Sequence, residues 1–188
     1  MRPPATGVPA PSASEQSSDV KVDDFGIAPG RSEAAMAAEI AHAIDVRVGV
    51  TIERPRLRVW SVLTDVRRQP EWMQDALSVE VLTEGPLRVG SRMRVPTRIG
   101  FLRTTDLMEV TAFEPPERWT VVHRGLVTGE GTFTLRESEG RERTRVTWDE
   151  RLAAPLGAIG RVGMTLLRPL LRRQFAADLD RLRRLCEV

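Results

Sequence analysis

From Asp45 onward apolar and polar residues alternate with a period of two, and beyond Pro155 the period lengthens to three or four. "VRVGVTI" (46–52) alternates and "LSVEVL" (77–82) does so in part. "SRMRVPTRI" (91–99) sets Ser91, Met93, Val95, Thr97 and Ile99 against Arg92, Arg94, Pro96 and Arg98. Successive side chains of a strand point to opposite faces, so each run predicts a half-buried strand. Phe101–Phe113, Trp119–Arg124, Gly129–Arg136 and Arg143–Leu152 continue the pattern, punctuated by the turn signals "EPPE", "RGLVTG" and "ESEGRE". Seven strands joined by successive hairpins make an antiparallel sheet with one wet face.

Beyond Pro155, Gly160, Met164, Leu167, Leu171, Phe175, Leu179, Leu182 and Cys186 fall on one face of a helix of roughly 30 residues, which must pack on the sheet. Pro169 lies inside it, removes a backbone hydrogen bond and predicts a bend. The far side carries a second apolar stripe, Ile159, Val162, Leu166 and Leu170. One helix cannot bury both faces against one sheet. Either a curved sheet and the "RIGF" hairpin (98–101) wrap this end, or the stripe is exposed and meets a second subunit or an anionic membrane. Between the first two strands, "VTIERPRLRVWSVLTDVRRQPEWM" (50–73) predicts two short helices. Pro55 starts one, with Val59, Val62, Leu63 and Val66 inward; Pro70 starts another, which holds Trp72 and Met73.

Composition separates this body from what precedes it. The first 44 residues hold five prolines and Phe25 as their only aromatic, whereas all four tryptophans lie beyond. So little apolar surface cannot offset ordering entropy, which predicts a disordered tail over 1–44, within which "SEAAMAAEIAHAI" forms at most a short helix. Met36 offers a second translation start. Residues 45–188 suit one domain. Of 28 basic and 26 acidic residues, three and seven fall within 1–45, leaving the body 25 against 19. That mild excess, with arginines spread along strands rather than clustered with aromatics, argues against nucleic-acid binding. The pI near 9.4 overstates basicity, because one Lys, one Cys and no Tyr leave little to titrate above neutrality. A single cysteine, Cys186, excludes an internal disulfide and fits a reducing, cytoplasmic setting; no metal-ligand spacing, cofactor motif, signal peptide, membrane span or repeat is present in the sequence.

The order strand, two short helices, six strands, long helix resembles the START-like helix-grip fold of the SRPBCC superfamily, in its polyketide cyclase/dehydrase-like branch. The resemblance rests on "IERPRLRVWSVLTDVRRQPEWM", "LRVGSRMRV", "FEPPERWTVV" and "LGAIGRVGMTLLRPLLRRQFAADLDRLRRL", and covers about residues 46 to 187. It departs from the family where Arg143 replaces the usual glycine before "TRV". The fold implied is α+β: a curved seven-stranded antiparallel sheet gripping a long C-terminal helix, with a cavity between them. Its expected lining is Met93, Val95, Met108, Val110, Trp119, Val121, Phe133, Val146 and Trp148 from the sheet, Trp72 and Met73 from the short helices, and Gly160, Gly163, Met164 and Leu167 from the long helix, the glycines leaving room.

Polar residues on this apolar face are the informative exceptions. His123 shares parity with Trp119 and Val121, Glu150 with Val146 and Trp148, and Asp106 with Met108. If the last three strands are neighbours, His123 and Glu150 stand about 10 Å apart at backbone level on one face. An acid and an imidazole there suit enolisation, dehydration or aldol chemistry; the alternative is that both point to solvent near strand ends. Gly125, Gly129 and Gly131 in "RGLVTGEG" lack the helix and lysine of a phosphate loop and read as a hairpin. Three functions follow, in order: a carrier or sensor of a hydrophobic small molecule of lipid, polyketide or isoprenoid type; a cyclase, aromatase or dehydratase using His123 and Glu150; a protein-interaction module.

Overall fold

The computed structural model describes residues 43–99, 102–138, 140, 142–153 and 157–188. The expected tail, apart from its last two residues, its short helix, Met36, Pro155 and the "GF" of the "RIGF" hairpin lie outside them. The elements are β1 (Ile44–Ile52), α1 (Arg56–Leu63), a 3-10 helix (Val66–Glu71), β2 (Glu80–Val81), β3 (Arg92–Ile99), β4 (Leu102–Glu114), β5 (Arg118–Arg124), β6 (Thr128–Ser138), β7 (Arg143–Ala153) and α2 (Gly157–Glu187). All seven strands form one sheet in the order β1-β7-β6-β5-β4-β3-β2, each neighbour antiparallel. The first strand therefore pairs with the last, and the rest run as a meander. This is the helix-grip arrangement expected from the sequence.

Why these residues take these positions is clearest at the inner face. Trp119 pairs with Phe133, and Phe133 with Trp148, across β5, β6 and β7. That register stacks the rings, with centroids 5.6 and 4.9 Å apart, and Phe175 of α2 continues the column 4.4 Å from Trp148. Trp72 meets Phe133 and Trp148 edge-on at 6.1 and 6.5 Å. Each ring buries enough surface for about 2 to 3 kcal/mol, so the column holds sheet, loop and helix together. Met93, Val95, Met108, Val110, Val121 and Val146 are buried beside it.

Two expectations about the helices need correction. The second short helix begins at Val66, and Pro70 lies within it, so Trp72 and Met73 fall just past its end. The cause is a second turn: Pro70 follows Gln69, whose carbonyl accepts the N–H groups of both Trp72 and Met73, and a proline suits that position because its φ is already set. On α2, Met164 is buried and Gly160 half-buried, but Gly163 is exposed and Leu167 is 48% exposed. A side chain added at Gly163 would meet nothing within 4 Å. The sheet-facing stripe holds only where the sheet lies beneath it, and the next buried residue after Met164 is Phe175. The second stripe is likewise uncovered: Ile159, Val162, Leu166 and Leu170 are 60 to 76% exposed, which removes the wrapped alternative.

Candidate functional site

The three polar exceptions of the inner face meet. His123 on β5 pairs with Met108 on β4, and Asp106 lies two residues further along β4. Its Oδ2 is 2.5 Å from Nδ1 of His123. On the other side Glu150 of β7 is two strands away, beyond Gly131 of β6, yet its Oε1 reaches to 2.9 Å from Nε2 of His123. The Trp148 indole N–H donates to the other Glu150 oxygen at 2.6 Å. The imidazole is only 17% exposed and the Glu150 side chain is buried. His123 thus turns inward rather than to solvent.

The glycines of "RGLVTGEG" make the convergence possible. A Cβ at Gly131 would lie 2.5 Å from Oε2 of Glu150, and one at Gly125 would lie 2.7 Å from Oδ1 of Asp106. Neither carboxylate keeps its place if those positions carry side chains. The segment is the hairpin expected from its residues, and it has this second role besides. Nothing in a single sequence distinguishes a glycine that turns the chain from one that yields space to a side chain of the adjacent strand.

Charge follows from geometry. Burial works against a charged imidazole, but the carboxylates of Glu150 and Asp106 outweigh it and raise the His123 pKa from 6.5 to about 10. At neutral pH it is therefore an imidazolium between two carboxylates. Two further acids, unread in the sequence, lie nearby in the interior. Asp178 is fully buried on the sheet-facing side of α2, accepts the Gln74 backbone N–H at 3.2 Å and an Arg181 N–H at 2.9 Å, and its pKa rises from 3.8 to about 6, chiefly from burial. Asp75, also raised by burial, feels the charges of Glu150 and His123. Asp178 interrupts an apolar stripe and Asp75 sits in a loop, so periodicity passed over both.

Several buried polar atoms here have no hydrogen-bond partner among the described residues: the indole N–H groups of Trp72 and Trp119, Oδ1 of Asp75 and of Asp106, and Oδ2 of Asp178. These donors and acceptors come from the sheet (Trp119, Asp106), from the loop after the 3-10 helix (Trp72, Asp75) and from α2 (Asp178). Among the described residues no three His, Cys, Asp or Glu side chains are arranged to hold a metal ion. A cleft of about 450 Å³ reaches Glu150, but its other walls are mainly charged (Asp45, Arg47, Glu130, Asp149, Arg151 and Arg168), and none of the apolar residues expected to line a cavity borders it.

Residues 43–187 match the family described as polyketide cyclase / dehydrase and lipid transport. The chain belongs to this family. Its members handle hydrophobic molecules, by conversion of polyketides or by carriage of lipids, and that is the functional class of this chain. No curated protein matches the sequence significantly. Among solved structures, it is similar to the Zhui aromatase/cyclase from Streptomyces sp. R1128, with 20% identity, 78% of this chain and 94% of that one covered, and a TM-score of 0.65. A START superfamily protein from Mycobacterium smegmatis shares 16% identity over 76% of this chain and 94% of that one, with a TM-score of 0.57. DynU16, from the dynemicin biosynthetic locus, shares 26% identity over 77% of this chain at a TM-score of 0.55, and the match spans 47% of DynU16. The two likenesses under 25% identity establish the helix-grip fold alone.

Proposed function

We propose that this member of the polyketide cyclase / dehydrase and lipid transport family binds an oxygenated, mainly apolar molecule of polyketide type on its inner sheet face, and that His123, Asp106 and Glu150 perform acid–base chemistry on it. The observation that carries the reading is the closed polar cluster in an apolar wall. Unpartnered indole donors at Trp72 and Trp119 suit carbonyl oxygens, and the free carboxylate oxygens suit hydroxyl groups, whereas a plain hydrocarbon would leave both unsatisfied. The likeness to DynU16, a protein of a biosynthetic locus, supports the same direction.

The expected chemistry is general acid–base catalysis. In this reading substrate displaces one of the two carboxylates from His123. The freed imidazolium N–H donates a hydrogen bond to a substrate carbonyl oxygen and stabilises the enolate formed when the displaced carboxylate takes the adjacent C–H proton. Return of that one proton to a β-hydroxyl lets it leave as water while the enolate collapses to the alkene. Trp72, Met73, Met93, Val95, Met108, Val110, Trp119, Val121, Phe133, Trp148 and Met164 would form the apolar contacts. Turnover of a poly-β-keto thioester, followed by aromatic absorbance, should fall about 100-fold in His123→Ala and in Glu150→Gln with the fold retained. Full activity in both variants would remove these residues from the mechanism.

A carrier is the second reading, favoured because both ring nitrogens of His123 are already engaged by carboxylates. It predicts saturable binding of an apolar probe with no turnover in the unaltered protein. The single cysteine and the absence, among the described residues, of a helix long and apolar enough to cross a membrane support a cytoplasmic setting, with the exposed stripe of α2 serving contact with a bilayer or a second copy.

A further inference from the structure

The first half of α2 has a charge pattern as distinctive as its exposure. From Gly157 to Ala177 the helix carries Arg161, Arg168, Arg172 and Arg173 and no acidic residue. All four arginines are exposed, and none forms an ion pair with a carboxylate among the described residues. At 100° per residue, Ile159, Val162, Leu166 and Leu170 share one side, and Arg161, Arg168 and Arg172 occupy the opposite side, toward β1. Arg168 and Arg172, with Arg173, border a groove of about 1210 Å³ there, together with Arg47 and Arg145. Aliphatic on one side and cationic on the other is the pattern of a helix lying in a lipid–water interface.

We propose that this half of α2 docks the protein on an anionic phospholipid bilayer, the Ile159–Leu170 stripe entering the acyl boundary and the arginines meeting the headgroups. Charge complementarity selects this occupant. The same half-helix of a second copy would bring a matching set of cations and no acidic residue of its own to pair with them, whereas an anionic surface attracts each arginine within a Debye length. The position also suits the site. Leu126, 46% exposed in the β5–β6 turn, sits at the end of the sheet where β7 finishes and α2 follows. His123 and Glu150 lie near that same end, and Arg168 borders both the groove and the cleft to Glu150. An apolar molecule dissolved in the bilayer would thus arrive beside the cluster; that last point alone rests on the function proposed above.

The test is co-sedimentation of the full chain with vesicles of phosphatidylcholine, alone or mixed with phosphatidylglycerol. The proposal expects partitioning at least about tenfold stronger on the mixed vesicles, weakened by salt, and lowered about tenfold or more by Leu166→Glu and by the Arg168→Gln/Arg172→Gln pair. Equal, weak partitioning on both vesicle types would overturn it. So would a concentration-dependent dimer in sedimentation velocity that Leu166→Glu dissolves while vesicle binding is absent, since the stripe would then be an interface between copies. Capture by an acidic protein with no vesicle binding would overturn it too. None of these readouts needs a ligand. Binding of 1,8-dihydroxyanthraquinone to the Leu166→Glu variant in detergent-free buffer reports separately on the inner face, so failure of one account is distinguishable from failure of the other.

Discussion

Gly131 decides whether Glu150 can reach His123. A methyl group there would stand inside contact distance of the carboxylate, so Gly131→Ala should displace Glu150 and cost about 1 to 3 kcal/mol, the usual penalty for overfilling a packed site. Urea unfolding reads the loss. NMR should show the His123 pKa falling below its native value near 10 as an anionic neighbour withdraws; an unchanged pKa and stability would mean that Glu150 has another resting place. The buried acids set the response to pH. Asp178 has a folded pKa of about 6 against 3.8 when free, so the folded state holds its proton more tightly. Stability from this group is present below about pH 4 and declines as pH rises through 6. Asp178→Asn should flatten that slope in thermal melts between those limits. His123 is also raised, so its contribution is complete below pH 6.5 and is lost as pH climbs through 10. At this scale the sequence was half legible. A period of two put His123, Glu150 and Asp106 on one face, because strand parity is rigid. It could not reveal that two glycines clear the space between them, nor that Asp178 sits in the middle of an apolar stripe.

The long helix teaches a different lesson at the scale of elements. Its period identified both apolar faces, and its length of 31 residues matches the expected helix of roughly 30. What periodicity cannot state is how far a neighbour extends beneath it. Phe175, Leu179, Leu182 and Cys186 find the sheet; Leu167 and Gly163, on the same reading, find solvent. Leu166 is 76% exposed, so Leu166→Glu should change folding stability by no more than about 0.5 kcal/mol. A loss of several kcal/mol, measured by chemical denaturation, would place Leu166 in a packed environment. Gly163→Leu should be equally silent toward inner-face binding, since it fills open space. The second short helix was misplaced for a local reason, that Pro70 begins its second turn rather than its first.

At the scale of the whole molecule, strand order followed from hairpin lengths and turn residues. The closing pair of β1 with β7 did not, because it joins residues about a hundred positions apart, and it is visible only in the structure. The family then sets a hydrophobic ligand class, and the proposal of an oxygenated ligand rests on the interior: an aromatic column, an imidazolium between two carboxylates, and the indole donors of Trp72 and Trp119, which have no acceptor among the described residues. The most direct check is an NMR titration that follows the His123 ring and the Trp72 and Trp119 indole N–H signals as 1,8-dihydroxyanthraquinone is added. The account predicts that all three shift together and saturate, and that His123→Ala weakens the binding. Saturation of the probe with those three signals unmoved would contradict it.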